Sequence, residues 1–221
     1  MAKIALFGAT GMIGSRVLHE ALGRGHEVTA VVRDPAHFAE SEVSSADVAV
    51  VRGDVLDPAS VSRAAAGQDV VVSAYGPGSG DPGTLVGAAK ALIGGVQALG
   101  QDGPRPRVVT VGGAGSLRTP GGPMVWDQAG IPAPVLAVMH AHGDALDFLR
   151  TVPVDEVHWT NLSPAATIEP GTRTGTYRLG LDELVVDDHG NSLISTEDFA
   201  VALLDEIERD AHPGKRFTIG Y

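Results

Sequence analysis

The sequence contains no cysteine. That excludes a disulfide framework, a thiolate zinc site and a cysteine nucleophile, and it fits a cytoplasmic protein. Bases are also scarce, with 16 Lys and Arg against 27 Asp and Glu and a formal charge of −11. So acidic a chain has no general electrostatic footprint for nucleic acid or an anionic membrane; a local basic spot for one phosphate is still compatible with it. Nor is there a long apolar run. The charge-free stretch over residues 128–143 carries two prolines and two histidines and is too short and too polar to span a bilayer. Met1-Ala2-Lys3 leads directly into a strand and a glycine motif, unlike a signal peptide. No G-x-S-x-G nucleophile elbow occurs. The 29 glycines and 14 prolines fall between apolar segments, where they mark turns.

What is present is an alternation. The 221 residues suit one domain. Strands are expected over residues 3–7, 27–32, 47–51, 69–73, 107–111 and 156–162. Helices are expected over 12–22, from Asp57-Pro58 to 66, from Thr84 as cap to about 99, and over 135–150. The fourth strand is continuously apolar at Val70, Val71 and Val72, as a parallel sheet covered on both faces requires. The expectation is a single-domain α/β protein with a Rossmann-type doubly wound parallel sheet in the order 3-2-1-4-5-6. The tail departs from the alternation. It has a loop or short strand over 173–181, a short strand over 192–194, a helix capped by Ser195 or Thr196 and running to about 208, and a last strand over 216–219. It is expected to form a small substrate-side lobe on the same core.

Gly8-Ala9-Thr10-Gly11-Met12-Ile13-Gly14 is G-x-x-G-x-x-G between the first strand and the first helix. One glycine permits the tight turn, one lets backbone approach a pyrophosphate, and one lets helix pack closely on strand. The helix start then offers free N–H groups to the anion. Gly8, Thr10, Gly11, Met12, Ile13 and Gly14 are therefore the expected dinucleotide cradle. No Lys-Ser/Thr follows the last glycine, which argues against Walker-type phosphate transfer. Strand two ends Val31-Val32-Arg33-Asp34. An acid at a strand end binds a ribose diol, whereas Arg33 can pair with a 2′-phosphate, so NADPH is favoured with NADH possible. Asp54 and Val55, after strand three, are placed to meet the adenine edge. Ser73, Ala74, Tyr75 and Gly76 follow strand four at the switch point, where ligands sit.

The glycine loop, Val31-Val32-Arg33-Asp34, Gly53-Asp54-Val55 and residues 109–116 resemble an atypical short-chain dehydrogenase. The segments Trp159-Thr160-Asn161-Leu162-Ser163-Pro164-Ala165, residues 170–180 and Ile194-Ser195-Thr196-Glu197-Asp198-Phe199-Ala200 resemble the bacterial NADH-flavin reductase-like family. Trp126-Asp127, Ile131-Pro132 and His142 before Leu149-Arg150 are more distantly similar in order to biliverdin reductase B. The resemblance implies NAD(P)H binding and hydride transfer to a flavin such as FMN or to a similar conjugated acceptor. It implies Ser116 as the active-site serine and His142 as a proton donor or substrate contact, with Pro164 on the nicotinamide side. One departure matters. Tyr75, Tyr177 and Tyr221 have no Lys four residues on, so the Tyr-x-x-x-Lys pair of ordinary short-chain dehydrogenases is missing.

Trp126 lies in the loop over 112–134 and could stack on the acceptor or anchor the loop. His140 and His142 stand at i and i+2 and cannot share a ligand in a regular helix, so no metal is expected. The predicted partner is a small-molecule acceptor, with no nucleic acid or membrane, for a monomer or homodimer. Two rivals stand beside the reductase. One is an NmrA-like redox sensor that binds dinucleotide without turnover. The other is a tailoring reductase, epimerase or dehydratase of specialised metabolism.

Overall fold

The structure, a computed structural model, describes residues 1–39, 48–100 and 105–221. Its elements run β1 (Lys3–Phe7), α1 (Met12–Gly23), β2 (Glu27–Val32), α2 (Pro35–Ala39), β3 (Ala49–Arg52), α3 (Pro58–Ala65), β4 (Val70–Ser73) and α4 (Thr84–Gln97). They continue with β5 (Arg107–Val111), a 3₁₀ turn (Val125–Asp127), α5 (Ala133–Arg150), β6 (Trp159–Ser163), β7 (Thr167–Glu169), β8 (Arg178–Gly180), β9 (Leu193–Ser195), α6 (Thr196–Arg209) and β10 (Lys215–Gly220). The main sheet has the order β3-β2-β1-β4-β5-β6-β10-β8. Its first six positions are the predicted 3-2-1-4-5-6, all parallel; β10 pairs parallel with β6, and β8 antiparallel with β10.

Successive strand residues point to opposite faces, and the two cores divide accordingly. Ile4 and Leu6 of β1 join the core under α1 and α6. Ala5 and Phe7 join the core under α3, α4 and α5. Both faces are thus closed over apolar strands. α1 buries Val17 and Leu18 as its spacing predicts, with Ile13 and Leu22 partly buried at the margin. α4 buries Leu85, Ala88, Ala89, Leu92 and Val96.

Several expectations are corrected. Thr84 is the first residue of α4, not its cap: Asp81 Oδ1 accepts from Gly83 N at 2.9 Å. α5 begins at Ala133 because the prolines at 132 and 134 suit a first turn. The expected start of strand three at Asp47 lies outside the described residues. The tail is built onto the same core, as expected, and Ile168 brings it to the cleft described below. β10 extends the main sheet and α6 packs on α1, while the short strands β7 and β9 form a separate parallel pair.

The tail is held by its own polar cluster. Ser195 caps α6, its Oγ accepting from Asp198 N at 3.0 Å and donating to Thr172 O at 3.1 Å. The fully buried Asp198 carboxylate accepts from Thr174 N, Gly175 N, Thr174 Oγ1 and the Tyr221 hydroxyl, at 2.6–2.9 Å. Gly171 N donates to Glu197 Oε2, and Arg16 of α1 donates to Glu197 Oε1. A buried carboxylate with this many donors is satisfied without a cation. Residues 171–175, the start of α6 and Tyr221 are therefore tied into one physical unit.

Candidate active site

The first strand ends against the end of β4, where Ala74 N donates to Phe7 O at 3.0 Å. Gly8 turns the chain there with φ +83°, and a Cβ on it would lie 2.6 Å from Ala74 O. Only glycine meets both demands. A Cβ on Gly14 would lie 2.0 Å from Gly8 O, so Gly14 lets α1 close onto the turn. Gly11 differs. Its φ of −74° suits any residue, and a Cβ would meet only Gly8 O, at 3.3 Å. Gly11 presents bare backbone to both the groove and the cleft described below. No side chain caps α1, so its first N–H groups are left for an anion.

From this loop a groove of 250 Å³ runs to the ends of β2 and β3, lined by Gly8, Thr10, Gly11, Arg33, Asp54 and Val55. No carboxylate lies within ion-pair distance of Arg33 among the described residues. The neighbouring Asp34 accepts from Ala36 N at 3.0 Å and so turns toward the start of α2. In the other direction the groove opens at Ala74, Tyr75 and Gly76 into a cleft of 960 Å³. Met12, Ile13, Pro164, Ala165 and Ile168 form one wall. Gly112, Gly113, Val135, Val138, Met139 and His142 form the other. The groove and cleft meet where the strand order reverses between β1 and β4, the crevice in which open α/β sheets bind ligands.

His142 is the titratable imidazole in that cleft. α5 carries it over Gly113, where a Cβ would come within 2.9 Å of its Cβ and Cγ. Burial pushes its pKa down to about 4, so the ring is neutral near pH 7. Behind it a 30 Å³ pocket is lined by Ser73, Thr110 and Asn161 as well as His142. Asn161 Nδ2 donates to Thr110 Oγ1 at 2.8 Å, while Asn161 Oδ1 is buried without a partner among the described residues.

Most expected site residues thus converge: Gly8, Thr10, Gly11, Met12, Ile13, Arg33, Asp54, Val55, Ala74, Tyr75, Gly76, Pro164 and His142 line the groove or the cleft. Four do not. Gly14 is buried in the loop's own packing. Ser73 faces the inner pocket instead of the cofactor groove. Ser116 lies outside the cleft lining, and its hydroxyl accepts from the buried Arg216 guanidinium at 2.7 Å. Its environment is that of a structural acceptor. Trp126 packs on the glycines of the 112–134 loop and α5, its ring closing on the positions of Gly115 and Gly143, with His140 4.6 Å away centroid to centroid. It anchors the loop and does not line the cleft. Sequence reading missed the apolar wall of Val135, Val138 and Met139. Their i, i+3, i+4 spacing was visible, but it reads equally as a core stripe.

A glycine loop at a helix start, opening into a switch-point crevice, is the arrangement of a dinucleotide-binding Rossmann-type protein. Residues 8–210 match the NAD(P)H-binding family, and the chain belongs to it. Three solved structures are similar over the whole of this chain. A provisionally assigned exported protein from Burkholderia pseudomallei is 48% identical, with a TM-score of 0.86 and 100% of that chain covered. A provisionally assigned epimerase from Bacteroides thetaiotaomicron is 41% identical, with a TM-score of 0.86 and 97% covered. A provisionally assigned NADH-flavin reductase from Streptococcus pneumoniae is 32% identical, with a TM-score of 0.80 and 99% covered. Among the described residues no helix is long and apolar enough to cross a membrane.

Proposed function

We propose that this protein is an NADPH-dependent reductase that delivers reducing equivalents to a flavin or a similar flat, conjugated acceptor. The observation that carries the proposal is the cleft. A dinucleotide groove ending at Ala74-Tyr75-Gly76 opens directly into 960 Å³ of apolar space, the upper end of ordinary ligand-site volumes. That suits a nicotinamide and an acceptor ring side by side. A redox sensor without turnover needs no such second compartment.

The backbone of Gly11 and the start of α1 would hold the pyrophosphate, Asp54 and Val55 the adenosine, and Arg33 a 2′-phosphate. A bound reduced nicotinamide supplies a hydride. The overall conversion is NADPH plus a proton plus oxidised acceptor to NADP⁺ plus reduced acceptor. The chain's own part is to press two rings together and exclude water between Met12, Ile13 and Pro164 on one side and Val138 and Met139 on the other. Neutral His142 donates a hydrogen bond from its N–H to the acceptor edge and does not serve as a protonated acid near pH 7. This fits the missing Tyr-x-x-x-Lys pair, since a flavin takes hydride at a ring nitrogen without an alkoxide to protonate. The test is single-turnover oxidation of NADPH, followed at 340 nm, with riboflavin and FMN. Consumption of NADPH only in the presence of a flavin is expected. Tight NADPH binding with no oxidation by either flavin would refute the reductase reading.

A further inference from the structure

We infer that the acceptor of this cleft is uncharged, so that the site selects a neutral conjugated ring and disfavours the same ring bearing a phosphate or carboxylate. The inference rests on the reductase reading and names its substrate class.

None of the 16 Lys and Arg residues lines the cleft. All of them fall within the described residues, so nothing outside those residues can supply a cation. Of the guanidiniums nearest in sequence to the cleft walls, Arg16 pairs with Glu197, Arg107 with Asp210 and Arg173 with Glu20. Arg118 lines a different groove, beside Arg178 and Asp182. Burial holds His142 neutral as well.

Helix starts are the other common source of anion affinity, and of the three near the cleft the two not assigned to the cofactor are weakened. The α5 start has proline at 132 and at 134, which removes backbone donors where an anion would need them. The α4 start already holds the Asp81 carboxylate, bonded to Gly83 N. The α1 start belongs to the cofactor. A net charge of −11 adds a repulsive field for any anion. An anionic group in this cleft would lose hydration without gaining a charged partner.

The test uses riboflavin and FMN, which share one ring system and differ by a phosphate. Each is titrated into the full-length protein with NADP⁺ present, at low salt, with flavin fluorescence as readout. Riboflavin is expected to bind about tenfold or more tightly than FMN. Val135, on the first turn of α5, is 46% exposed and lines the cleft. V135K, which places a cation on that wall, should raise the ratio of FMN affinity to riboflavin affinity about fivefold. FMN binding as tightly as riboflavin, or no binding of either, would overturn the inference. Turnover is read separately. If riboflavin binds in preference but NADPH is not consumed, the charge selectivity stands and the reductase reading falls. If FMN is preferred and NADPH is consumed, the reverse holds.

Discussion

Gly11 and Gly14 look interchangeable in the motif, yet the structure assigns them different work, and alanine separates the two. At Gly14 an added Cβ would sit 2.0 Å from Gly8 O, 2.7 Å from Gly8 C and 3.2 Å from Ala9 Cα. All three are backbone atoms. Gly8 cannot retreat easily, because its own Cβ position already lies 2.6 Å from Ala74 O. Relief requires α1 or the whole loop to shift. Overpacking of this kind costs about 1–3 kcal/mol, and a backbone-to-backbone clash belongs at the upper end. About 3 kcal/mol corresponds to a fall of about 6–12 °C in Tm for a domain of this size. At Gly11 the contact is a single atom, Gly8 O at 3.3 Å, tight but far milder than at Gly14, with no conformational strain. G11A should therefore cost about 1 kcal/mol or less. G11V should fold but lose NADPH binding, because its branches stand where the pyrophosphate passes. Thermal melts without cofactor and NADPH fluorescence titrations of the folded variants read the two effects apart. A G14A melt within 2 °C of the parent would refute the packing argument. Unchanged NADPH affinity in folded G11V would show that the pyrophosphate runs elsewhere.

Three further outcomes are expected. R33A should weaken NADPH more than NADH, by about 1–3 kcal/mol for a lost charge-assisted contact; equal losses in parallel titrations would remove Arg33 from cofactor choice. S116A should lower stability by about 1–3 kcal/mol, because it strands a donor of the buried Arg216, while kcat measured on folded enzyme stays within about twofold; a collapse of kcat at unchanged Tm would restore Ser116 to the chemistry. His142 has a folded pKa of about 4 against an ordinary 6.5, so the unfolded chain binds the extra proton between those values and stability falls as pH drops from 6.5 to 4. The gap is worth about 3 kcal/mol. H142L should lose that part of the acid dependence in urea titrations, and the kcat profile of the parent should show no ionisation near pH 6.5, where a bell centred there would contradict a neutral ring.

Much of the fold and of the cofactor half of the site was legible along the chain. Apolar runs without a polar face, punctuated by glycine turns, can be satisfied only by a covered parallel sheet. That sheet puts the first βα turn at the switch point. Gly8 and Gly11 are set by backbone conformation, and Arg33 and Tyr75 stand just past the ends of their strands, positions that local sequence specifies. The acceptor half was less legible. Ser116 and Trp126 lie in the loop over 112–134, and where such a loop points depends on what it packs against. Arg216 lies 100 residues further along the chain, and it is Arg216 that takes the Ser116 hydroxyl. Gly115 and Gly143, from loop and helix, make the slot that Trp126 fills.

By itself, then, the sequence determined the parallel sheet, its strand order through β6 and the dinucleotide loop, because these follow from hydrophobic period and from conformations open to glycine. Tertiary structure decided which polar residues serve the fold and which face the ligand. Asp198, an acid in the first turn of α6, becomes a buried hub for Thr174, Gly175 and Tyr221. Val135, Val138 and Met139, whose spacing equally suits a core stripe, become a cleft wall. Burial and hydrogen bonding are set by neighbours distant in sequence, and a side chain's role follows from which of those neighbours it meets.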